Sequence, residues 1–415
     1  MREMKDSGVA WIGKIPHCWN TSKLKYLGQY INGYAFKPEE WGSKGVPIIR
    51  IQDSTGSNDN PNYFEGQIDK KYWVENGDIL ISWAATLDAF IWNKGNGWLN
   101  QHIFKAVPNR RIINYDFFFW MIKESMKNMN NDNKHGIFMQ HVTLSVFNNF
   151  TIPMPPLAEQ ERIAAFLDAE CAEIDTVLEK TRASIEEYKK LKQAIITQAV
   201  TKGIRGDRPM KDSGIEWIGD IPVEWDVIRV KQLLKERNER SKEGKEEPLS
   251  MSQKVGLVPT KFLESIPNMA SSFVGAKLAY VDDLVFNKLK AHLGVFSVSR
   301  YDGLVSPDYA VYCSTGKSNL KYLEYIFKTP QCIGEFRKKS TGIAAGLMRL
   351  YTEGLFPIYL PYPALSEQEE IAEYLNEKCA GIDALIVKKQ QYLIEIENYK
   401  KSLIYEYVTG KKEVV

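Results

Sequence analysis

Four short stretches carry residue types that do chemistry when they are correctly spaced. "NPNY" (Asn60–Tyr63) is one residue away from a base-gripping Asn-Pro-Pro-Tyr box, but Asn62 stands where the second proline belongs and no F-x-G-x-G loop accompanies it. It reads as a turn. "TGKS" (Thr315–Ser318) ends like a phosphate loop, yet the glycine needed earlier in that motif is Val311. It reads as a loop. His102, His135 and His141 are the densest histidines, without the E-x-x-H spacing or cysteine partner of a metal site. Asp282 and Asp283 pair two carboxylates at a strand start, where exposed turn acids are common. No residue is assigned a catalytic role and none a metal. The chain's chemistry is therefore expected to be that of binding, and the question becomes which elements present the binding groups.

Those elements are written twice. "MKDSGVAWIGKIPHCW" from Met4 returns as "MKDSGIEWIGDIPVEW" from Met210, and the stretches Met4–Leu27 and Met210–Leu233 agree at 13 of 24 positions. "EQERIAAFLDAECAEIDTVLEK" from Glu159 returns as "EQEEIAEYLNEKCAGIDALIVK" from Glu367. Glu159–Thr201 aligns with Glu367–Thr409 without a gap, identical at 16 of 43 positions. "IPMPPL" and "LPYPAL" lead into the two copies. Repetition of Trp, Ile, Gly and Pro at fixed spacing marks a duplicated folding unit, because each copy must build its own core from the same parts.

The EQ copies read as long helices. Prolines end the preceding element, Ser366 with Glu369 suggests a capping box, and the first copy meets no Gly or Pro until Gly203. Ile174, Leu178, Ile185, Tyr188 and Ile195, with Ile382, Ile386, Leu393, Ile396 and Leu403, alternate four- and three-residue steps, the signature of a coiled-coil seam. Thr181 and Lys389 interrupt it. Two similar halves related by a pseudo-two-fold would pair these helices antiparallel. The expected fold is α+β: two mixed domains at 1–157 and 204–365, separated by helical spacers at 158–203 and 366–415. Within the domains, "GDILISW" (Gly77–Trp83) aligns with "DDLVFNK" (Asp282–Lys288). "VPIIRIQD" (Val46–Asp53) aligns with "EPLSMSQK" (Glu247–Lys254), and the amphipathic helix "YDFFFWMIK" with "LKYLEYIFK". The charged run Glu236–Glu247 reads as a solvated helix end.

Composition bounds the rest. At 415 residues, with 44% hydrophobic and 12% aromatic content, the chain suits two or more folded domains rather than disorder. The net charge of +2 resolves into +3 for 1–157, −2 for 158–203, +4 for 204–365 and −3 for 366–415. Mild basicity of the mixed domains permits nucleic-acid binding without requiring it. Five cysteines without a C-x-x-C pair, no signal-peptide pattern and no apolar run of ~18 residues point to a reduced, cytoplasmic setting.

The EQ-x-x-I-A-x-(F/Y)-L…I-D helices, each after a Pro-rich strand, resemble those of the specificity subunit of type I restriction-modification systems. So does their alternation with two variable domains opened by W-I-G-x-I-P-x-x-W. The resemblance covers nearly the whole chain and occurs twice. It implies two target recognition domains, each reading one half of a bipartite, gapped duplex DNA site. It implies spacer helices that dock two methyltransferase subunits, and restriction/translocase subunits joining the complex. The chain itself would bind no cofactor and catalyse nothing. S-adenosylmethionine, ATP and Mg are expected on the partner subunits.

Base edges and phosphates are read by Arg, Lys, Asn, Gln and His, with hydroxyls assisting. Such residues gather at Arg50, Gln52, Lys134, His135, Gln140 and His141 in the first domain. In the second they are Gln253, Lys254, Lys288, Lys290, Lys338, Lys339 and Arg349, with Ser340 and Thr341 as phosphate donors. Two other readings compete: a self-contained DNA methyltransferase or nuclease fragment, opposed by the missing motifs, and a coiled-coil scaffold that binds protein.

Overall fold

The computed structural model describes residues 2–55, 61–84, 87–132, 142–253, 255–263, 273–342 and 348–414. The chain divides into two compact units, Met1–Thr181 with Gln391–Val415, and Arg182–Gln390. Both cuts fall inside a long helix. Each unit is thus a mixed domain, a portion of its own long helix and a portion of the other.

In the first unit, β1 (Gly28–Asn32), β2 (Ile79–Ser82), β3 (Asp88–Ile91) and β4 (Ile103–Pro108) form an antiparallel sheet in the order β1-β4-β2-β3. Helix α1 (Tyr115–Asp132) buries Phe117, Phe118, Met121 and Ile122 in the same core as Ile79, Ile81 and Phe104. Every residue of β2 is buried, as its unbroken Ile-Leu-Ile run requires. The chain continues into helix α2 (Leu157–Lys202), which ends at Gly203 with φ +78°, a conformation glycine adopts without steric penalty. The second unit repeats the plan. Strands β5 (Leu234–Glu236), β6 (Leu284–Asn287), β7 (Phe296–Val298) and β8 (Tyr309–Ser314) run β5-β8-β6-β7. Helices α3 (Leu320–Phe327), α4 (Pro330–Lys339) and α5 (Leu365–Val408) follow.

The repeated opening is a repeated device. Each copy is a hairpin, with Met4 paired to Pro16 and Met210 to Pro222. It turns through glycines at positive φ, Gly8 and Gly13 in one copy, Gly214 and Gly219 in the other. Trp19 and Trp225 at the hairpin ends are 0% exposed. The Trp19 indole donates to Glu159 at 2.7 Å and that of Trp225 to Glu367 at 2.9 Å. Arg2 pairs with Glu159 and Arg208 with Glu367, and each guanidinium also stacks over its tryptophan, at 5.2 and 5.1 Å. A buried carboxylate is tolerated only with such a cation and donor set.

The neighbouring glutamine of each EQ pair ties the long helix to its domain. Gln160 accepts from Asn114 N at 2.7 Å and donates to Pro155 O at 2.9 Å; Gln368 accepts from Asn319 N at 2.9 Å and donates to Pro363 O at 3.0 Å. EQ is therefore the joint between the long helix and its mixed domain. The expected capping box is absent: α5 already begins at Leu365, so Ser366 lies within its first turn, and Ala364 O takes the first helical bond, from Gln368 N.

Within the first unit, Ile174, Leu178 and Leu403 share one core, with Leu393 and Ile396 packed against it. Asp175 bonds Lys400 at 2.6 Å, and the Phe166 and Tyr407 rings lie 4.4 Å apart. Within the second unit, Ile185, Ile382 and Ile386 are buried and Ile195 packs on the core with Ile196 and Cys379. There Lys192 bonds Asp383 at 2.6 Å. Asp175 and Asp383 are equivalent in the repeat, as are Lys192 and Lys400, so one ion pair occurs once per unit with the helices exchanged. In each unit the number rises on one helix as it falls on the other, which is antiparallel pairing. The two interruptions of the seam are accommodated. Thr181 donates its hydroxyl to Val177 O at 2.7 Å, and the Lys389 ammonium sits 5.7 Å over the Tyr188 ring.

Two expectations about charged segments need correction. Beyond the end of β5 at Glu236, the run through Glu247 is loop, not helix. Asp283 is not an exposed turn acid. It is 2% exposed, receives Arg237 Nε at 2.8 Å and Tyr280 N at 2.9 Å, and caps the turn into β6. Thr315–Ser318 is loop as read, with Gly316 at φ +88°. Pro61–Tyr63 leads into the strand Tyr63–Phe64, and Asn60 lies outside the described residues.

Candidate nucleic-acid interface

In the second unit the candidate residues converge from four segments. The loop after β6 carries Lys288 and Lys290. Leu350 N donates to Lys288 O at 3.0 Å, which sets the segment Arg349–Tyr351 beside it. Arg349 is clipped to Thr341 by reciprocal main-chain bonds of 2.8 and 2.9 Å, and its guanidinium lies 3.8 Å from Asp308. Helix α4, whose last residues are Lys338 and Lys339, approaches the same loop through Arg337 Nε on His292 O at 3.4 Å. Gln253, at the tip of a hairpin, donates to Leu293 O at 3.3 Å.

The members of this group differ in freedom. Lys290 and Lys339 are exposed. Lys338 is held by Glu335 at 2.7 Å, and that carboxylate raises the lysine's pKa. Ser340 donates to Phe336 O at 2.7 Å and caps α4. Lys288 is half-buried. Its ammonium donates to Pro307 O at 3.0 Å and lies 5.9 Å over the ring of Tyr351. Burial first, and then the charge of Lys277, lower its pKa. His292 is 7% exposed, its Nδ1 has no hydrogen-bond partner among the described residues, and burial ahead of the Arg337 charge lowers its pKa.

In the first unit Arg50 follows the strand Val46–Ile49. Its main-chain N–H donates to Asp53 at 2.7 Å and its guanidinium lies 5.6 Å over Trp41. Gln52 sits in the short helix Ile51–Thr55. Lys134, His135, Gln140, His141 and Lys254 lie outside the described residues. The sequence reading missed Trp83 and Tyr351. Trp83 stacks on Phe104 at 5.7 Å, meets His102 edge-on at 5.5 Å and donates to Asn32 at 3.3 Å. Its carbonyl accepts Val142 N at 3.0 Å, the same bond that Leu350 makes to Lys288. The alignment of Gly77–Trp83 with Asp282–Lys288 placed these residues together, but a tryptophan facing a lysine does not announce a shared role. Among the described residues no cluster of His, Cys, Asp and Glu is placed to hold a metal ion, and no helix is long and apolar enough to cross a membrane.

The molecule is thus a twice-repeated α+β domain, each copy packed with portions of both long helices. Residues 16–187 match the family model described as the type I restriction modification DNA specificity domain. The EcoBI specificity subunit of Escherichia coli is 22% identical, aligned over 99% of this chain and 90% of its own. The MjaVIII specificity subunit of Methanocaldococcus jannaschii is 24% identical, over 97% and 94%. Among solved structures, a chain from a study of complex assembly and conformational transition of the type I R-M system superposes with a TM-score of 0.72, at 15% identity over 96% of this chain and 99% of that one. The HsdS subunit of Thermoanaerobacter tengcongensis gives 0.52 at 16% identity, over 96% and 98%. The chain has the fold and the internal repeat of a type I restriction-modification specificity subunit.

Proposed function

We infer that the chain is the DNA-specificity subunit of a type I restriction-modification system, non-catalytic by itself, choosing where partner subunits act. The observation that carries this is one frame built twice around different loops: the same hairpin, the same Trp-Glu-Arg and Gln joints and the same strand order, carrying different polar groups. Frames give stability and loops give specificity. The segments 1–157 and 204–365 would each read one half of a gapped duplex site. Segments 158–203 and 366–415 would space them and dock two methyltransferase subunits, with restriction/translocase subunits completing a cytoplasmic assembly. Lysine and arginine of the two loop clusters would neutralise phosphates, and the half-buried polar groups would contact base edges. S-adenosylmethionine, ATP and Mg would be held by the partners.

The test is a map of N6-methyladenine across the host genome with this gene intact and deleted. Loss of one two-part gapped motif on deletion supports the assignment. Survival of every motif, together with no gel shift of mixed duplex DNA in the presence of methyltransferase subunits, overturns it. A radiolabelled methyl-transfer assay on the isolated chain separates this reading from a self-contained methyltransferase.

A further inference from the structure

The two units share a register tight enough to compare residue by residue. Glu75 N donates to Asp78 at 2.8 Å where Tyr280 N donates to Asp283 at 2.9 Å, and Gly77 at φ +92° is matched by Asp282 at φ +67°. Ser82 faces Ile103 across the sheet as Asn287 faces Tyr309. The next residue is Trp83 in one unit and Lys288 in the other, and each carbonyl accepts a main-chain N–H, from Val142 or Leu350, at 3.0 Å. Both side chains are half-buried, at the end of a central strand.

We propose that Trp83 and Lys288 are the equivalent specificity-determining positions of the two recognition domains. Lys288 would contact an acceptor-rich base edge such as guanine, and Trp83 an apolar feature such as the thymine methyl. Three features argue for it. Each position directly follows a central frame strand and its carbonyl is held by a main-chain bond of 3.0 Å, so its backbone is placed before binding. At this position the register is kept while the chemistry changes from indole to ammonium. Lys288 also carries more donors than its one acceptor, Pro307 O, uses among the described residues. Partial desolvation makes such a cation selective for a strong acceptor such as guanine O6 or N7.

This rests on the proposed function, and the experiment keeps the two separable. The chain is co-expressed with its methyltransferase partner in a host free of adenine methylation, and methylated motifs are sequenced. A motif from the unaltered chain upholds the functional reading whatever the variants do. Lys288→Met should then relax one position of one half-site, raising methylation of sites altered there by roughly five- to hundredfold relative to the unaltered chain. The other half-site should stay fixed. Trp83→Ala should relax only that other half-site, and Trp83→Tyr, which keeps a ring on Phe104, replaces it if Trp83→Ala lowers the melting temperature. An unchanged motif, or a uniform fall in methylation without relaxation, overturns the proposal and marks the residues as frame or phosphate contacts.

Discussion

Replacing Trp225 by Phe removes a single donor from a site with almost no water. The Trp225 ring is 0% exposed and Glu367 is 5% exposed. The carboxylate takes the indole N–H at 2.9 Å and the Arg208 guanidinium at 2.8 Å. A hydrogen bond to a charged group contributes about 1.5–3 kcal/mol, and a buried acceptor left short of a donor loses its full share of that. The smaller ring also leaves a cavity and a poorer platform for Arg208, worth about another 1 kcal/mol. The expected loss is about 2–4 kcal/mol, roughly 30- to 1000-fold in the folding equilibrium of the second unit. Hydrogen exchange read by mass spectrometry suits a two-unit chain, where one global transition is not assured. Amides of α3 and of Arg182–Lys202 in α2 should exchange faster, while those of α1 should not. Trp19→Phe should do the converse. A loss below about 0.5 kcal/mol, or equal acceleration in both units, would refute the claim that each EQ helix is pinned locally by its own tryptophan.

Other perturbations should separate packing from surface charge. Leu178→Ala, at a site 4% exposed, should cost about 2–4 kcal/mol in urea unfolding. Asp383→Asn, on a carboxylate 54% exposed, should cost less than about 1 kcal/mol. The pKa of His292 is lowered in the folded state, so below the ordinary histidine value the unfolded chain binds more protons. Stability of the second unit should therefore be full above about pH 6.5 and fall as the pH drops below it, and His292→Gln should flatten that slope. Lys339→Ala should weaken DNA binding and reduce the slope of log K against log salt by about 0.9. Lys338→Ala should change it less, because Glu335 already holds that ammonium at 2.7 Å. Slopes unchanged from the unaltered chain in both variants would remove the end of α4 from the interface.

The sequence by itself determined the duplication, the two long helices, the seam and the strand alignment, because each is written in local spacing. Heptad steps, prolines and repeated Trp-Ile-Gly and Glu-Gln pairs constrain the backbone over a few residues. Tertiary structure decided what those pairs do. Nothing local shows that Trp225 meets Glu367, 142 residues away, or that Gln368 bridges Asn319 and Pro363. The capping box failed for a related reason: Gln368 is held from the domain side, and the helix starts early enough to place Ser366 inside it. Asp283 looked like a surface acid until Arg237, 46 residues earlier, was seen to neutralise it. The gathering of Lys288, Arg349, Gln253 and α4 also came only from the fold. Side chains on four separate segments share a surface because sheet register and loop closure bring them there, and neither can be read from composition or spacing.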